Sequence, residues 1–138
     1  MVTRILLAVD GSEPSARAIP FAGELARRFG AEIIVFHALE EVSGHPADEV
    51  SEVRLAEATH LTERAVRWLK DEGVSARGET RPCYFGHVPR EVLRVARNED
   101  ADLIVMGSRG LSSLRGLLLG SVAHKVLQLA EVPVLIVR

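Results

Sequence analysis

Asp10 and the stretch from Gly107 to Ser121 hold the residues whose types and spacing suit a phosphorylated ligand. Gly107-Ser108-Arg109-Gly110 follows directly on the apolar run Leu103-Ile104-Val105-Met106, and Gly120-Ser121 comes after nine further residues. Glycine lets the backbone take a positive φ and lets an anion approach main-chain N–H groups, while a helix N-terminus adds unpaired donors and the positive end of its dipole. Three glycines and a hydroxyl between a strand and a helix therefore read as a phosphate loop, set against the plainer reading of turn punctuation. The pattern is not the Walker loop, which needs Gly-Lys-Ser/Thr, and Val9-Asp10-Gly11-Ser12 lacks the Gly-x-Gly-x-x-Gly of a dinucleotide fold. A carboxylate at Asp10 suits ribose hydroxyls or a phosphate-bound metal, or else caps the helix beginning near Ser12. Ser121 either caps its own helix or donates to the anion. Arg109 brings positive charge into the loop and Arg115 brings it from the far side, whereas Ser108, Ser112 and Ser113 read as loop solvation.

Catalytic equipment is not legible beside this loop. The five histidines, His37, His45, His60, His87 and His124, are scattered, and no lysine stands among the glycines to stabilise a transferred phosphate. Hydrolysis is expected to be slow, and no protein metal site is assigned. The single cysteine, Cys83, excludes an internal disulfide and reads as an ordinary small residue. Seventeen basic against nineteen acidic residues give −2 without charged blocks, which points to neither a nucleic-acid nor a membrane partner. The N-terminus passes straight into an apolar strand with no leader pattern, so the cytoplasm is the expected compartment.

These residues need a frame to hold them. The 138 residues fit one domain, 1–138, of a size that buries roughly two-thirds of its unfolded surface. Ile5 to Val9 and Ile33 to Phe36 are continuous apolar runs, as expected of parallel strands covered on both faces. Between them Ala18, Ala22, Leu25, Ala26 and Phe29 recur at helical spacing before Gly30, with Pro20 predicting a kink or a later start. The strand–helix–strand unit is expected to be right-handed and parallel. A polar loop from Glu40 to Ala47 precedes a long helix to about Glu72, with Val53, Ala58, Leu61, Ala65 and Trp68 inward and Glu63 and Arg67 paired on the wet face. Val74 to Cys83, with alternating Arg77, Glu79 and Arg81 and then Pro82, reads as a short edge strand. After the bend Tyr84-Phe85-Gly86, Pro89 opens a helix that turns Val92, Val95 and Ala96 inward. The last helix is expected to bury Val122, Val126, Leu129, Ala123, Leu127 and Ala130, and Val134 to Val137 make a fifth strand. Five strands alternating with four helices give an α/β fold with an open, doubly wound parallel sheet.

The chain resembles the universal stress protein family, in its ATP-binding subgroup, over its whole length. The resemblance rests on Leu6-Leu7-Ala8-Val9-Asp10-Gly11-Ser12, on Asp102 through Gly110, and on Leu117 through Ala123 with Pro133 through Arg138. It implies strand order 3-2-1-4-5 in a Rossmann-like, adenine nucleotide alpha hydrolase-like fold, so Asp10 and Gly107 end the two strands that flank the switch point. It also implies ATP as ligand, with Mg2+ bridging the phosphates. Asp10 would contact the nucleotide, Ala8 and Ala38 would offer backbone or wall contacts to adenine, and Met106 would lie beside the ribose. Gly107, Arg109, Gly110, Gly120, Ser121 and Val122 would surround the phosphates. Ala123 departs from the small hydroxyl frequent at that place in relatives, and His37, also frequent there, reads as structural. A homodimer built through the last strand and a nucleotide-dependent regulatory role in the stress response, with an unidentified protein partner, complete what the resemblance implies. The alternatives are a slow ATPase or autophosphorylating enzyme, and a dimeric scaffold with an empty cleft.

Overall fold

The computed structural model describes residues 1–41, 52–110 and 119–138. The stretch after Glu41 that the sequence reads as a loop, with Gly44, His45 and Pro46, falls outside them, as do Ser112, Ser113 and Arg115. In chain order the elements are β1 (Arg4–Ala8), α1 (Glu13–Phe29), β2 (Glu32–Glu40), α2 (Glu52–Asp71), β3 (Ala76–Cys83), α3 (Val88–Asn98), β4 (Leu103–Gly107), α4 (Ser121–Leu129) and β5 (Val134–Val137). The strands form one parallel sheet in the order β3-β2-β1-β4-β5, as the resemblance implies. No helix among the described residues is long and apolar enough to cross a membrane.

The apolar strands are continuous because each strand feeds two cores. Ile5, Leu7, Val9, Ile33, Val35 and Val105 join Ala18, Ala22, Ala26, Ala65 and Leu69 under α1 and α2. Their neighbours Leu6, Ile34, Phe36, Ile104 and Met106 join Val92, Val95, Ala123 and Val126 under α3 and α4. Alternate side chains leave opposite faces of a strand, so helices on both faces require apolar residues at every position. Burying one such side chain contributes about 1.5–3 kcal/mol. The central strands are therefore stiff supports for whatever stands at their ends.

Several helix faces differ from the expected ones. α1 begins at Glu13, with Pro14 in its first turn, so Pro20 does not delay the start. Pro20 and Ala16 are both exposed, so the bond that Pro20 cannot donate to Ala16 O is missing from the solvent side of the helix. Phe29 remains 47% exposed in the last turn. In α2 the buried row is Ala58, Thr62, Ala65 and Leu69, whereas Val53 and Trp68 are 68% and 41% exposed. Thr62 reads as polar in a helical pattern but is satisfied inside, where its Oγ1 bonds to Thr59 O and lies 2.9 Å from Thr80 Oγ1 of β3. Trp68 instead reaches over α1 at its rim, where a Cβ on Gly23 would lie 3.6 Å from the indole. Glu63 meets His60 rather than Arg67, at 3.6 Å. α4 buries Ala123 and Val126 but leaves Leu127 and Leu129 43% and 54% exposed. β3 lies at the sheet edge as expected but runs eight residues, pairing with β2 from Ala76 to Cys83.

Candidate functional site

β1 and β4 are neighbours, paired from Ile5↔Leu103 to Ala8↔Met106, so Asp10 and Gly107 leave the carboxyl end of the sheet side by side. The order reverses there, with β2 and β3 on one side and β5 on the other. A cleft of about 520 Å³ opens at this place, and all ten residues singled out from the sequence line it: Ala8, Asp10, Ala38, Met106, Gly107, Arg109, Gly110, Gly120, Ser121 and Val122.

The glycines have three different physical reasons. A Cβ on Gly107 would lie 2.7 Å from Ser15 N and 2.8 Å from Pro14 C, so this glycine lets the backbone of α1 pack on the end of β4. The missing side chain of Gly107 thus makes room for α1, while the residue itself still lines the cleft. Gly110 is different: its Cβ would meet only the Asp10 carboxylate, 2.7 Å from Oδ2. Gly120 sits where the loop closes on itself, its N–H donating to Ser108 O at 2.7 Å and its Cβ position 3.2 Å from Arg109 Cα. Ser108, 3% exposed, donates its own N–H to Val137 O at 2.7 Å. It is thus a buried clasp between β4, β5 and the start of α4, not a solvated loop residue.

Asp10 serves the turn and the cleft at once. Its Oδ1 accepts from Ser12 N–H at 2.9 Å, while Oδ2, facing Gly110, accepts no hydrogen bond among the described residues. Capping of α1 falls to Ser12, whose Oγ accepts from Ser15 N–H at 3.3 Å and donates to Arg109 O at 3.2 Å. Arg109 makes no ion pair among the described residues, so its charge is not neutralised there. Ser121 is the first residue of α4 and Gly120 its N-cap, without a side-chain cap, which removes the capping role considered for Ser121. The first-turn N–H groups of α4 therefore have no side chain of their own to meet.

The cleft lining is mixed. Ala8, Ala38, Phe36, Leu39, Val88, Val92 and Met106 supply apolar surface; Asp10, Ser15, Arg109 and the N-terminus of α4 supply polar groups, as do His37, Glu40 and Arg54 beside Ala38 and Leu39. The sequence reading misses Ser15, His37, Glu40, Arg54 and Val88 as lining residues. Ser15 stands three residues after the N-cap and its Oγ accepts from Asp10 N–H at 3.0 Å, a spacing that marks it as part of the turn. Val88 lies four residues before Val92 on the inward line of α3, which was a usable signal. Arg54 reaches the site from α2 and donates to Glu40 O at 2.9 Å; nothing local in the sequence announces that contact. Cys83 is buried near this end of the sheet, and desolvation, followed by Glu40, Glu91 and Glu41, pushes its thiol up to about 11. It is a neutral thiol at neutral pH, not a nucleophile.

Comparison with known proteins agrees with this geometry. The sequence profile of the universal stress protein family matches residues 1–138. The universal stress protein YxiE of Bacillus subtilis is 38% identical over 152 aligned residues, which cover 100% of each chain. A universal stress protein solved in complex with cAMP superimposes with a TM-score of 0.72 at 29% identity, covering 99% of this chain and 97% of that one. The universal stress protein from Archaeoglobus fulgidus in complex with dAMP gives a TM-score of 0.77 at 25% identity, over 100% and 98% of the two chains.

Proposed function

The chain belongs to the universal stress protein family, and from that premise we propose that its cleft binds an adenine nucleotide, ATP, and that the protein is a nucleotide-dependent regulatory module of the stress response. One observation carries this reading: a single cavity is lined both by apolar side chains and by an uncapped helix N-terminus, and the same lining holds the Oδ2 of Asp10, which accepts no hydrogen bond among the described residues. A purine needs the first, phosphates need the second, and a ribose between them needs a carboxylate acceptor. The cAMP and dAMP bound by the two solved relatives support the same ligand class.

In this reading Ala8, Ala38 and Met106 flank the base and ribose. Gly110, Gly120, Ser121 and Val122 carry the phosphates, with Arg109 contributing charge, and Gly107 acts indirectly by seating α1. Magnesium travels with the nucleotide. A magnesium ion often keeps several waters and is bound through substrate phosphates with one or two carboxylates, and Asp10 is the carboxylate in this lining that could serve it. The chain acts as one domain, 1–138, in the cytoplasm, and pairs through β5. That strand is a sheet edge on which Val134, Leu135 and Ile136 are only half-buried, and the adjoining α4 exposes Leu127 and Leu129.

The test is to denature protein purified without added nucleotide and identify what it releases, then to titrate the stripped protein with ATP with and without magnesium while measuring its mass by light scattering. Release or saturable binding of adenine nucleotide by a species of dimer mass is the expected result. No release and no binding would reduce the loop to architecture, and a monomer mass at micromolar concentration would refute the pairing.

A further inference from the structure

The ladder between β1 and β2 stops one rung early, at the cleft. Glu32 N–H donates to Thr3 O at 3.0 Å at one end, and Val9 N–H donates to Phe36 O at 2.9 Å at the other. Even-numbered residues of β2 thus turn their N–H and C=O towards β1. Odd-numbered ones turn towards β3, as Ile33 N–H to Ser75 O and Glu41 N–H to Cys83 O require. In a parallel ladder the rung after Val9 N–H to Phe36 O is Ala38 N–H to Val9 O. That rung is not made. Val9 O lies 2.7 Å from His37 Nδ1, and since a carbonyl only accepts, this nitrogen carries the proton. Gly11, at φ 85°, turns the chain away from the sheet, so the Ala38 carbonyl also extends past β1. Neither polar group of the Ala38 backbone has a partner among the described residues, and Ala38 lines the cleft.

We propose that His37 is a positioning residue for purine recognition: its Nδ1–H occupies the Val9 carbonyl, ends the ladder early, and keeps the Ala38 N–H and C=O open to a 6-aminopurine. Such a base presents a ring-nitrogen acceptor beside an amino donor, the complement of one N–H and one C=O. A 6-oxopurine presents an acceptor and a donor in the opposite order, so with its ribose held at Asp10 it sets like groups against like. Unpaired polar groups in a closed site discriminate strongly. This inference rests on the nucleotide reading above, but its first consequence is visible without ligand.

In the ligand-free full chain, amide hydrogen exchange at Ala38 is expected to be at least about a hundredfold faster than at Phe36, which is paired. In His37→Leu, which has no donor, the missing rung closes and Ala38 slows into the range of Phe36. In His37→Asn, whose side-chain N–H reaches the same carbonyl, Ala38 stays fast. Calorimetric titration with ATP and ITP then reads the consequence. The preference for ATP falls at least about tenfold in His37→Leu and returns in His37→Asn, whereas general damage would weaken both nucleotides alike. Slow exchange at Ala38 in the wild type overturns the proposal, as does an unchanged preference in His37→Leu. Should His37→Leu not fold, slow exchange in His37→Asn overturns it as well. Wild-type binding of neither nucleotide, with the exchange pattern intact, overturns the nucleotide reading and the recognition role with it; binding without an effect of His37→Leu overturns the role of His37 alone.

Discussion

Two helix N-termini meet at the crevice, and they are built in opposite ways. α1 closes its own: Ser12 caps it, and its first-turn backbone is pressed onto β4 across Gly107. α4 leaves its own open. Its N-cap is Gly120, which has no side chain to offer, and what holds this end is the bond from Gly120 N–H to Ser108 O. Both ends carry the same dipole and the same unpaired donors in principle. The difference shows that a glycine before a helix and a glycine after a strand need not serve the same end. At Gly107 the missing side chain is replaced by protein, and at Gly120 it leaves the first turn of α4 without a side-chain cap.

The largest effect should come from filling the closed side. Gly107→Val forces a side chain to within 2.7–2.9 Å of Ser15 N, Pro14 C and Pro14 Cβ, which are mostly backbone atoms and cannot swing away. Overpacking of this kind costs about 3 kcal/mol, and urea denaturation should show it whether or not nucleotide is present. A variant of wild-type stability would mean that α1 does not rest on β4 as described.

Next comes the open side. Gly120→Asp gives α4 the cap it lacks and sets a negative charge where phosphate would lie. Its Cβ would lie 3.2 Å from Arg109 Cα and 3.4 Å from Ser108 O, so the backbone there must give by a few tenths of an ångström, far less than at Gly107. Stability should therefore change little, while affinity for ATP falls about a hundredfold from lost donors and charge repulsion. Gly120→Asn, a cap without charge, should lose less, and equal losses in the two variants would remove the electrostatic part of the argument.

The same contrast explains what could be read from the sequence. Strand positions and the glycine stretch follow from apolar runs and motif spacing, because strands buried on both faces and glycine turns leave strong local patterns, whereas the sheet order and the choice of Ala8, Ala38 and Met106 as lining residues come from the family resemblance. The purposes of the glycines do not follow. Gly107 and Gly110 look alike in sequence, and only the positions of α1 and of Asp10 show that one faces a helix backbone and the other a carboxylate. Helix faces fail for a related reason. Trp68 and Leu129 are apolar enough to be assigned inward, yet one lies at the rim beside Gly23 and the other on the exposed side of a nine-residue helix, while Thr62 is buried through a partner on β3. Arg54 and His37 bond to backbone carbonyls at the ends of strands distant in sequence, Glu40 O and Val9 O, and contacts of that kind have no signature in a single chain of letters.

The smallest effect, and the sharpest test of the contrast, is Ser12→Ala. Ser12 is 7% exposed; its Oγ accepts from Ser15 N–H and donates to Arg109 O, so it joins the closed helix end to the open loop. Loss of an N-cap costs about 1 kcal/mol. If the two ends are separate in function, that loss should appear in the denaturation midpoint while the ATP affinity of the folded protein stays within about twofold. A larger drop in affinity would show that the bond to Arg109 O positions the phosphate loop. In that case the α1 cap would belong to the binding site through Arg109, and the division between a structural helix end and a ligand-bearing one would have to move from between the two helices to within α1 itself, between its packing on Gly107 and its cap.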